Sequence, residues 1–303
     1  MVNYRILISA ITSAIAYQFI GIIAVVTLIP LMNTKLTTKH FWLWGLIYMG
    51  ILHSFLIELN TTSSWPIAIG LWLIATIAYS TFYALFGVII TKVKQYIPTY
   101  TNILFPIIWV LVEWLKTIGT FANPLGNFGY MFATYAPYIQ AYEWFGPIGV
   151  SLVIIIMNQI IKHVLYTKSV KKPTLTLILL FILLIGIPNQ QPLSNKTIYV
   201  STIQSSHNQN DKMNRNKWNS ISNNIMQLIY SAPGNIIVLP ETILPANIQK
   251  MKLYKRIQNY AIKTNKTIIF GSFLTQKNNV YNGAITLSNK PNQYYVKEPS
   301  YPL

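Results

Sequence analysis

The sequence predicts a polytopic α-helical membrane bundle joined to a small α/β domain, and three observations carry that prediction. Of 303 residues, 52% are hydrophobic and only 10% are charged, against roughly 25% charged in soluble domains. The apolar residues gather in long runs between Ile6 and Ile187, and mean hydropathy over the chain is +0.40. From Pro188 onward the chain turns polar and rich in Lys and Asn. The shift divides it near residue 190 into a transmembrane helical domain, 1–190, and a second domain, 191–303.

A spanning helix needs about 20 mostly apolar residues, because the bilayer offers no water to its backbone groups. Ile6–Met32 reads as a tight helical hairpin of two short segments broken around Tyr17–Gly21, with one long tilted span as the alternative. Further spans are expected at Phe41–Ile57, Pro66–Ile90, Ile103–Thr117, Tyr138–Lys162 and Thr174–Ile187, about seven in all. The first run lacks a small-residue cleavage site, and too many spans follow for a secreted protein.

Lys and Arg fix the orientation. Lys162, Lys168, Lys171 and Lys172 crowd the loop before the last span, which is therefore expected to be cytoplasmic. Lys92 and Lys94, and likewise Lys35 and Lys39, fall on the same side by parity, whereas Glu58–Trp65 and Gly119–Pro137 contain no basic residue. The segment after Ile187 is then external.

That segment alternates strands and helices. Thr197–Thr202, Ile236–Leu239, Thr267–Leu274 and Tyr281–Leu287 are short β-branched runs, with Gln293–Val296 a weaker fifth. Trp218, Ile221, Ile225, Leu228 and Ile229 recur at helical spacing, as do Met251, Tyr254, Ile257 and Ala261. The order predicts a layered α/β domain, small for an enzyme domain of that type.

Net charge is +17. The basic residues of the second domain are scattered, with no compact stripe and no nucleic-acid-binding motif, so no nucleic-acid partner is expected. Anionic lipid headgroups, or composition bias alone, account for the excess. There is no cysteine, hence no disulfide, thiolate metal site or cysteine nucleophile within the sequence. His40, His53, His163 and His207 stand far apart, so no metal is assigned, and no cofactor is expected.

Several residues invite chemistry. Glu241 follows the apolar strand Ile236–Leu239 and Pro240, at the carboxyl edge where α/β folds place ligands. Half-shielded by apolar neighbours, it would suit a general base; the plainer reading is a surface glutamate. Lys297, after Tyr294-Tyr295, could stabilise an oxyanion or simply be solvated. Trp218 would gather lipid or anchor its helix in the core. Glu113 lies within a span, where an ionisable group is functional by default, yet Lys116 stands close enough to pair with it at i, i+3. The uncharged, aromatic loop Gly119–Tyr130 should lie along the outer membrane boundary.

Four segments then carry a family likeness. They are Trp109-Val110-Leu111-Val112-Glu113-Trp114-Leu115-Lys116 with the Pro124–Tyr130 loop, including Gly126 and Gly129; Gln204 with Lys217-Trp218; Val238-Leu239-Pro240-Glu241-Thr242; and Tyr281-Asn282 with Tyr295-Val296-Lys297. Together they resemble the apolipoprotein N-acyltransferases of the bacterial inner membrane, in which a bundle of spans joins a periplasmic domain of the nitrilase (carbon–nitrogen hydrolase) fold.

The resemblance implies a multi-pass inner-membrane protein whose second domain is a partial α/β nitrilase-like sandwich on the periplasmic side. It implies ping-pong transfer of an acyl chain from a phospholipid to the N-terminal amine of diacylglyceryl-modified apolipoprotein, with no cofactor. Glu241 would be the general base, Lys297 the oxyanion stabiliser, and Trp218 and Tyr295 substrate-binding residues. Trp109, Glu113, Gly126 and Gly129 would mark the membrane signature. Two departures stand out. The family continues past its lysine into a Leu-Val-Pro-type segment, whereas here the run is Glu298-Pro299-Ser300-Tyr301-Pro302-Leu303. The family's nucleophilic cysteine and a last span lie further on, and neither is in this sequence. The expectation is a C-terminally truncated family member lacking its nucleophile, with a missing half as possible partner; the alternative is a non-catalytic membrane protein that binds lipid or lipoprotein.

Overall fold

The structure, a computed structural model, describes residues 2–32, 35–61, 63–167, 176, 178–182, 185, 197–276 and 279–296. The chain forms two compact units, Met1–Gln191 and Pro192–Leu303.

In the first unit, α1 (Val2–Gln18) ends at Phe19-Ile20, and a broken helical return runs from Gly21 to Leu31 with α2 at Ala24–Thr27. This is the hairpin form of the Ile6–Met32 segment. Gly21 is required at the corner, since a Cβ there would lie 1.8 Å from the Met131 carbonyl oxygen. The return is irregular, so its backbone needs partners in an apolar interior. Asn158 supplies them: its Oδ1 accepts from Leu28 N at 2.9 Å, and its Nδ2 donates to the carbonyls of Ala24 at 2.8 Å and Ile154 at 2.9 Å. Ser9 Oγ donates to Thr27 O at 2.5 Å and accepts from Trp44 Nε1 at 3.1 Å.

Four longer helices follow: α3 (Thr38–Leu52), α4 (Trp65–Tyr96), α5 (Thr101–Leu115) and α6 (Ala141–Thr167). Thr37 and His40 close a capping box at the start of α3, and α6 is kinked at Gly146, just before Pro147. Among the described residues, three helical stretches are long and apolar enough to cross a membrane: Thr38–Thr61, Trp65–Tyr96 and Ala141–Thr167. At 17 and 15 residues, α1 and α5 fall short of the roughly 20 that a perpendicular span needs. The expected span Thr174–Ile187 lies outside the described residues apart from 176, 178–182 and 185, as do Lys168, Lys171 and Lys172. The surface of α4 is inverted relative to a water-soluble helix. It exposes Ile67, Leu71 and Ile74 (67% exposed) and buries Ala68, Ser80 and Gly87, as expected where the solvent is lipid and small residues let helices approach.

The second unit is a five-stranded mixed sheet in the order β1 (Val200–Thr202), β2 (Ile236–Val238), β3 (Thr267–Gln276), β4 (Asn279–Leu287), β5 (Gln293–Val296). The first three strands are parallel and the last three antiparallel, and the strands fall where the alternation places them. Between β1 and β2 come α7 (Gln209–Met213) and α8 (Trp218–Ser231); α9 (Lys252–Thr264) links β2 to β3. Ile221, Ile225 and Ile229 of α8 and Leu253, Ile257 and Ala261 of α9 share one core with Ile237, Ile268, Phe270, Leu274, Ile285 and Leu287 of the sheet. Since strand side chains alternate, the other face presents Thr202, Ile236, Val238, Ile269, Phe273, Ala284 and Tyr295, none of them charged.

Replacing Asn158 by Leu would remove one hydrogen-bond partner each from the Leu28 N–H and the Ala24 and Ile154 carbonyls, leaving the first two with Val26 O and Thr27 Oγ1 alone. A typical hydrogen bond contributes about 0.5–1.5 kcal/mol, so Asn158→Leu is expected to lower the thermal unfolding midpoint in detergent. An Asn158→Leu protein as stable as the parent would contradict this account of the hairpin.

Candidate functional site

The chemistry-bearing residues fall into two groups, one in each unit. In the second unit, Glu241 follows β2 by way of Leu239 and Pro240. Leu239 N still donates to Ile269 O at 2.8 Å, and Gly271 N donates to Pro240 O at 3.2 Å, so β3 carries the departing chain one step beyond the strand. Gly271 allows that passage. A Cβ on it would lie 1.5 Å from the Glu241 carbonyl oxygen, so the Glu241 backbone rests directly on the glycine. From the next strand, Asn282 Nδ2 donates to Glu241 Oε1 at 2.5 Å.

These residues line a cavity of about 260 Å³, together with Ile269, Ala284 and Tyr295. Its walls are largely apolar, with one carboxylate and one amide at the polar end. The shielding expected of Glu241 is not seen: the residue is exposed at the cavity, its backbone on Gly271 and one carboxylate oxygen on Asn282. Tyr295 is 68% exposed and lines the same cavity. Trp218 is not among the lining residues. It is half-buried at the start of α8, packs against the core, and donates from Nε1 to Lys212 O at 2.7 Å, with the Arg215 guanidinium 5.7 Å from its ring. That is the core-anchor reading of Trp218. The Lys212 ammonium in turn donates to Thr242 O at 3.3 Å, tying α7 to the loop that carries Glu241. Lys297 lies outside the described residues.

In the first unit, the signature residues converge on the Glu113 carboxylate, 1% exposed. Its Oε1 accepts from Trp109 Nε1 at 3.0 Å, one turn back on α5, and from Phe128 N at 2.9 Å, across the loop. The ion pair expected between Glu113 and Lys116 is not formed. Helix α5 ends at Leu115, and the Lys116 ammonium turns into the loop to donate to Leu125 O at 2.8 Å and Tyr83 Oη at 3.4 Å. Gly126 (φ +79°) occupies the left-handed region, with its carbonyl accepting from Tyr48 Oη at 3.1 Å. Gly129 N donates to Ser151 Oγ at 2.6 Å, and the Gly129 carbonyl accepts from Tyr142 Oη. Bulk is excluded here, since a Cβ on Gly129 would lie 1.9 Å from Pro147 O.

The loop is divided in its burial: Gly119–Ala122, Pro124 and Tyr130 are exposed, whereas Gly126–Gly129 are buried, and Phe128 packs into the bundle core with Met131 and Phe132 just beyond it. Trp109 sits edge-on to Trp44, Phe86 and Phe128, so the segment brings an aromatic ring into a cluster already made by the helices. Asn123 adds a further tie: its Oδ1 accepts from Leu125 N at 2.9 Å, and its Nδ2 stands 3.2 Å from His53 Nε2. His53 Nδ1 meets Met49 O at 3.0 Å; a carbonyl only accepts, so Nδ1 carries the proton and Nε2 receives the amide. Sequence reasoning gave no role to Ser151, Tyr48 or His53, because each acts across the chain. Asn282 stood within the Tyr-Asn element but was not singled out as a site residue.

The fold so described is a membrane-type helical bundle with a separate mixed-sheet unit. A family model for the apolipoprotein N-acyltransferase N-terminal domain matches residues 6–160, the stretch that contains the Glu113 cluster. The chain belongs to the apolipoprotein N-acyltransferase family. No curated protein matches it.

Gly271→Ala tests the placement of Glu241. Its Cβ would collide with backbone rather than with a flexible side chain, so the Glu241–Thr242 segment must lift off β3. Amide exchange at Gly271, whose N–H bonds Pro240 O, is expected to speed by about tenfold or more, the loss of roughly one hydrogen bond's worth of protection. Unchanged exchange there would show that Glu241 is held by something else.

Proposed function

We propose that the chain supplies the general-base half of a phospholipid-to-apolipoprotein acyl transfer, with residues 1–190 as the membrane domain and 191–303 as a partial, periplasmic nitrilase-like domain at the bacterial inner membrane. The observation that carries this reading is the Glu241 carboxylate at the polar end of an apolar cavity, held by Asn282 at 2.5 Å. Family membership supports it through the substrates the family name implies.

The chemistry follows from those parts. Glu241 takes the proton of a thiol, the thiolate attacks the acyl ester carbonyl, and the bond between the acyl carbon and the glycerol oxygen breaks. Glu241 then returns the proton to the departing alkoxide, leaving a thioester. In the second half the apolipoprotein amine attacks the thioester, Glu241 receives the amine proton, the C–S bond breaks to give the amide, and Glu241 passes the proton to the departing thiolate. Asn282 orients the carboxylate by engaging one oxygen, which leaves the other for the proton. Lys297 is proposed to meet the oxyanion, and Tyr295 to contact lipid, while Trp218 anchors α8 in the core. The thiol itself is not among these 303 residues, and removing a nucleophile typically costs about a million-fold in rate. The sulfur is therefore proposed to come from polypeptide outside residues 1–303. The same absence favours, for the chain acting alone, a second reading: a membrane protein that binds lipid or lipoprotein without turnover.

Expression in cells depleted of their own acyltransferase separates the two. The chain alone is expected to yield no triacylated lipoprotein, and the chain joined to a cysteine-bearing continuation is expected to restore it. In the restored form, Glu241→Gln should lower the rate by about 10²–10⁴-fold, the usual worth of a general base. Triacylated product from the bare chain would overturn the requirement for an external thiol.

A further inference from the structure

We propose that the outward face of α9 is a docking surface for the anionic headgroups of a lipid bilayer. The basic residues that look scattered in sequence are gathered by the helix. Lys252, Lys255, Arg256 and Lys263 are all exposed, and at 3.6 residues per turn they fall within an arc of about 100°. That arc lies opposite Leu253, Ile257 and Ala261, which are buried in the core.

No carboxylate answers this charge from nearby sequence. Between Glu241 and Glu298 there is no Asp or Glu at all, and the ion pair found among the described residues, Lys217 with Asp211, lies elsewhere, before α8. The neighbouring face of α8 contributes Asn223, whose Oδ1 accepts from Arg256 Nη1 at 2.7 Å, so one guanidinium is fixed in place without being neutralised. The stripe also has apolar margins. Ile262 is 51% exposed on one side, and on the other Tyr260 packs against the exposed Tyr230 at a ring separation of 4.9 Å. A basic centre flanked by an aliphatic and an aromatic side chain matches the headgroup layer, where phosphates lie beside the glycerol boundary.

The bilayer is favoured over a soluble polyanion because this chain also contains helices long and apolar enough to cross a membrane. Covalent attachment keeps the second unit at high effective concentration near lipid, so a weak attraction suffices. The proposal rests on those helices and on the stripe, not on the acyl-transfer reading.

The absence of cysteine makes the test direct. Asn259→Cys places one thiol in the middle of the stripe for an environment-sensitive fluorophore on the full chain in nanodiscs. With about 30% phosphatidylglycerol among phosphatidylcholine, quenching by headgroup-spin-labelled lipid is expected to be about fivefold stronger than with phosphatidylcholine alone. The difference should vanish at roughly 0.5 M salt, where the Debye length is only a few ångströms. Neutralising the stripe (Lys252→Gln, Lys255→Gln, Arg256→Gln and Lys263→Gln together) should abolish it. Retaining the charge (Lys252→Arg, Lys255→Arg and Lys263→Arg) should preserve it, which separates loss of charge from loss of fold. Equal quenching in both discs, persistence in the neutralised variant, or a label that answers to soluble heparin but not to anionic discs would each overturn the proposal.

Discussion

A carboxylate withdrawn from water inside an apolar bundle has to be met by hydrogen-bond donors, and Glu113 draws them from both sides of a change in chain direction. One donor, the Trp109 indole, is on its own helix; the other, the Phe128 amide, lies across a loop. Hydrogen bonds to a charged group contribute roughly 1.5–3 kcal/mol each, and a stranded buried carboxylate costs more than either bond returns. The Phe128 amide is therefore pinned to one place. From that point the rest of the loop is determined: Leu125 takes the Lys116 ammonium, Gly126 takes Tyr48, and Gly129 engages Ser151 and Tyr142.

The same constraint explains what could be read from the sequence and what could not. A glutamate within an apolar run is visible to anyone counting residues, and so are Trp109 one turn before it and the glycines after it. The donor from across the loop is not. Phe128 contributes only its backbone, which has no sequence signature, and Ser151, which accepts from Gly129 N, is an unremarkable serine in α6. The ion pair with Lys116 was a fair inference from i, i+3 spacing on a continuing helix. It fails although Lys116 caps α5 with helical backbone angles, because its ammonium is taken by Leu125 O and Tyr83 Oη from other parts of the chain. The loop after it is divided in a way its aromatic content does not announce: Phe128 packs against Trp109 in the bundle core, while Phe121 and Tyr130 stay exposed.

In the second unit the strands were legible because β-branched alternation is a local signal, and the Pro-Glu-Thr turn marked the place where the chain leaves the sheet. The supports of Glu241 were less so. Gly271 is an isolated glycine in a strand, a pattern that often signals a close backbone approach, but the sequence does not say which backbone approaches. Asn282 is placed by the β3–β4 register, in which it stands opposite Phe273; no spacing rule connects it to a residue 41 positions earlier. The basic stripe on α9 was missed because charge was judged along the sequence, whereas four positions spread over twelve residues coincide only once the helix is wound.

Glu241 and Glu113 illustrate opposite uses of the same side chain. Glu113 is buried and spends one oxygen on two donors that fix a loop, so its value is geometric. Glu241 is exposed, and a single amide holds one of its oxygens while the backbone beneath is fixed by a glycine. A proton acceptor needs that combination: enough support to stop the carboxylate from rotating freely, and enough openness for a reacting group to reach the free oxygen. The apolar cavity walls add a medium in which an acyl chain is more at home than water. A purely structural glutamate at a strand end would require neither the glycine beneath it nor the asparagine opposite, and the pairing of these two supports with an open apolar cavity is the argument for the proton transfer proposed for Glu241.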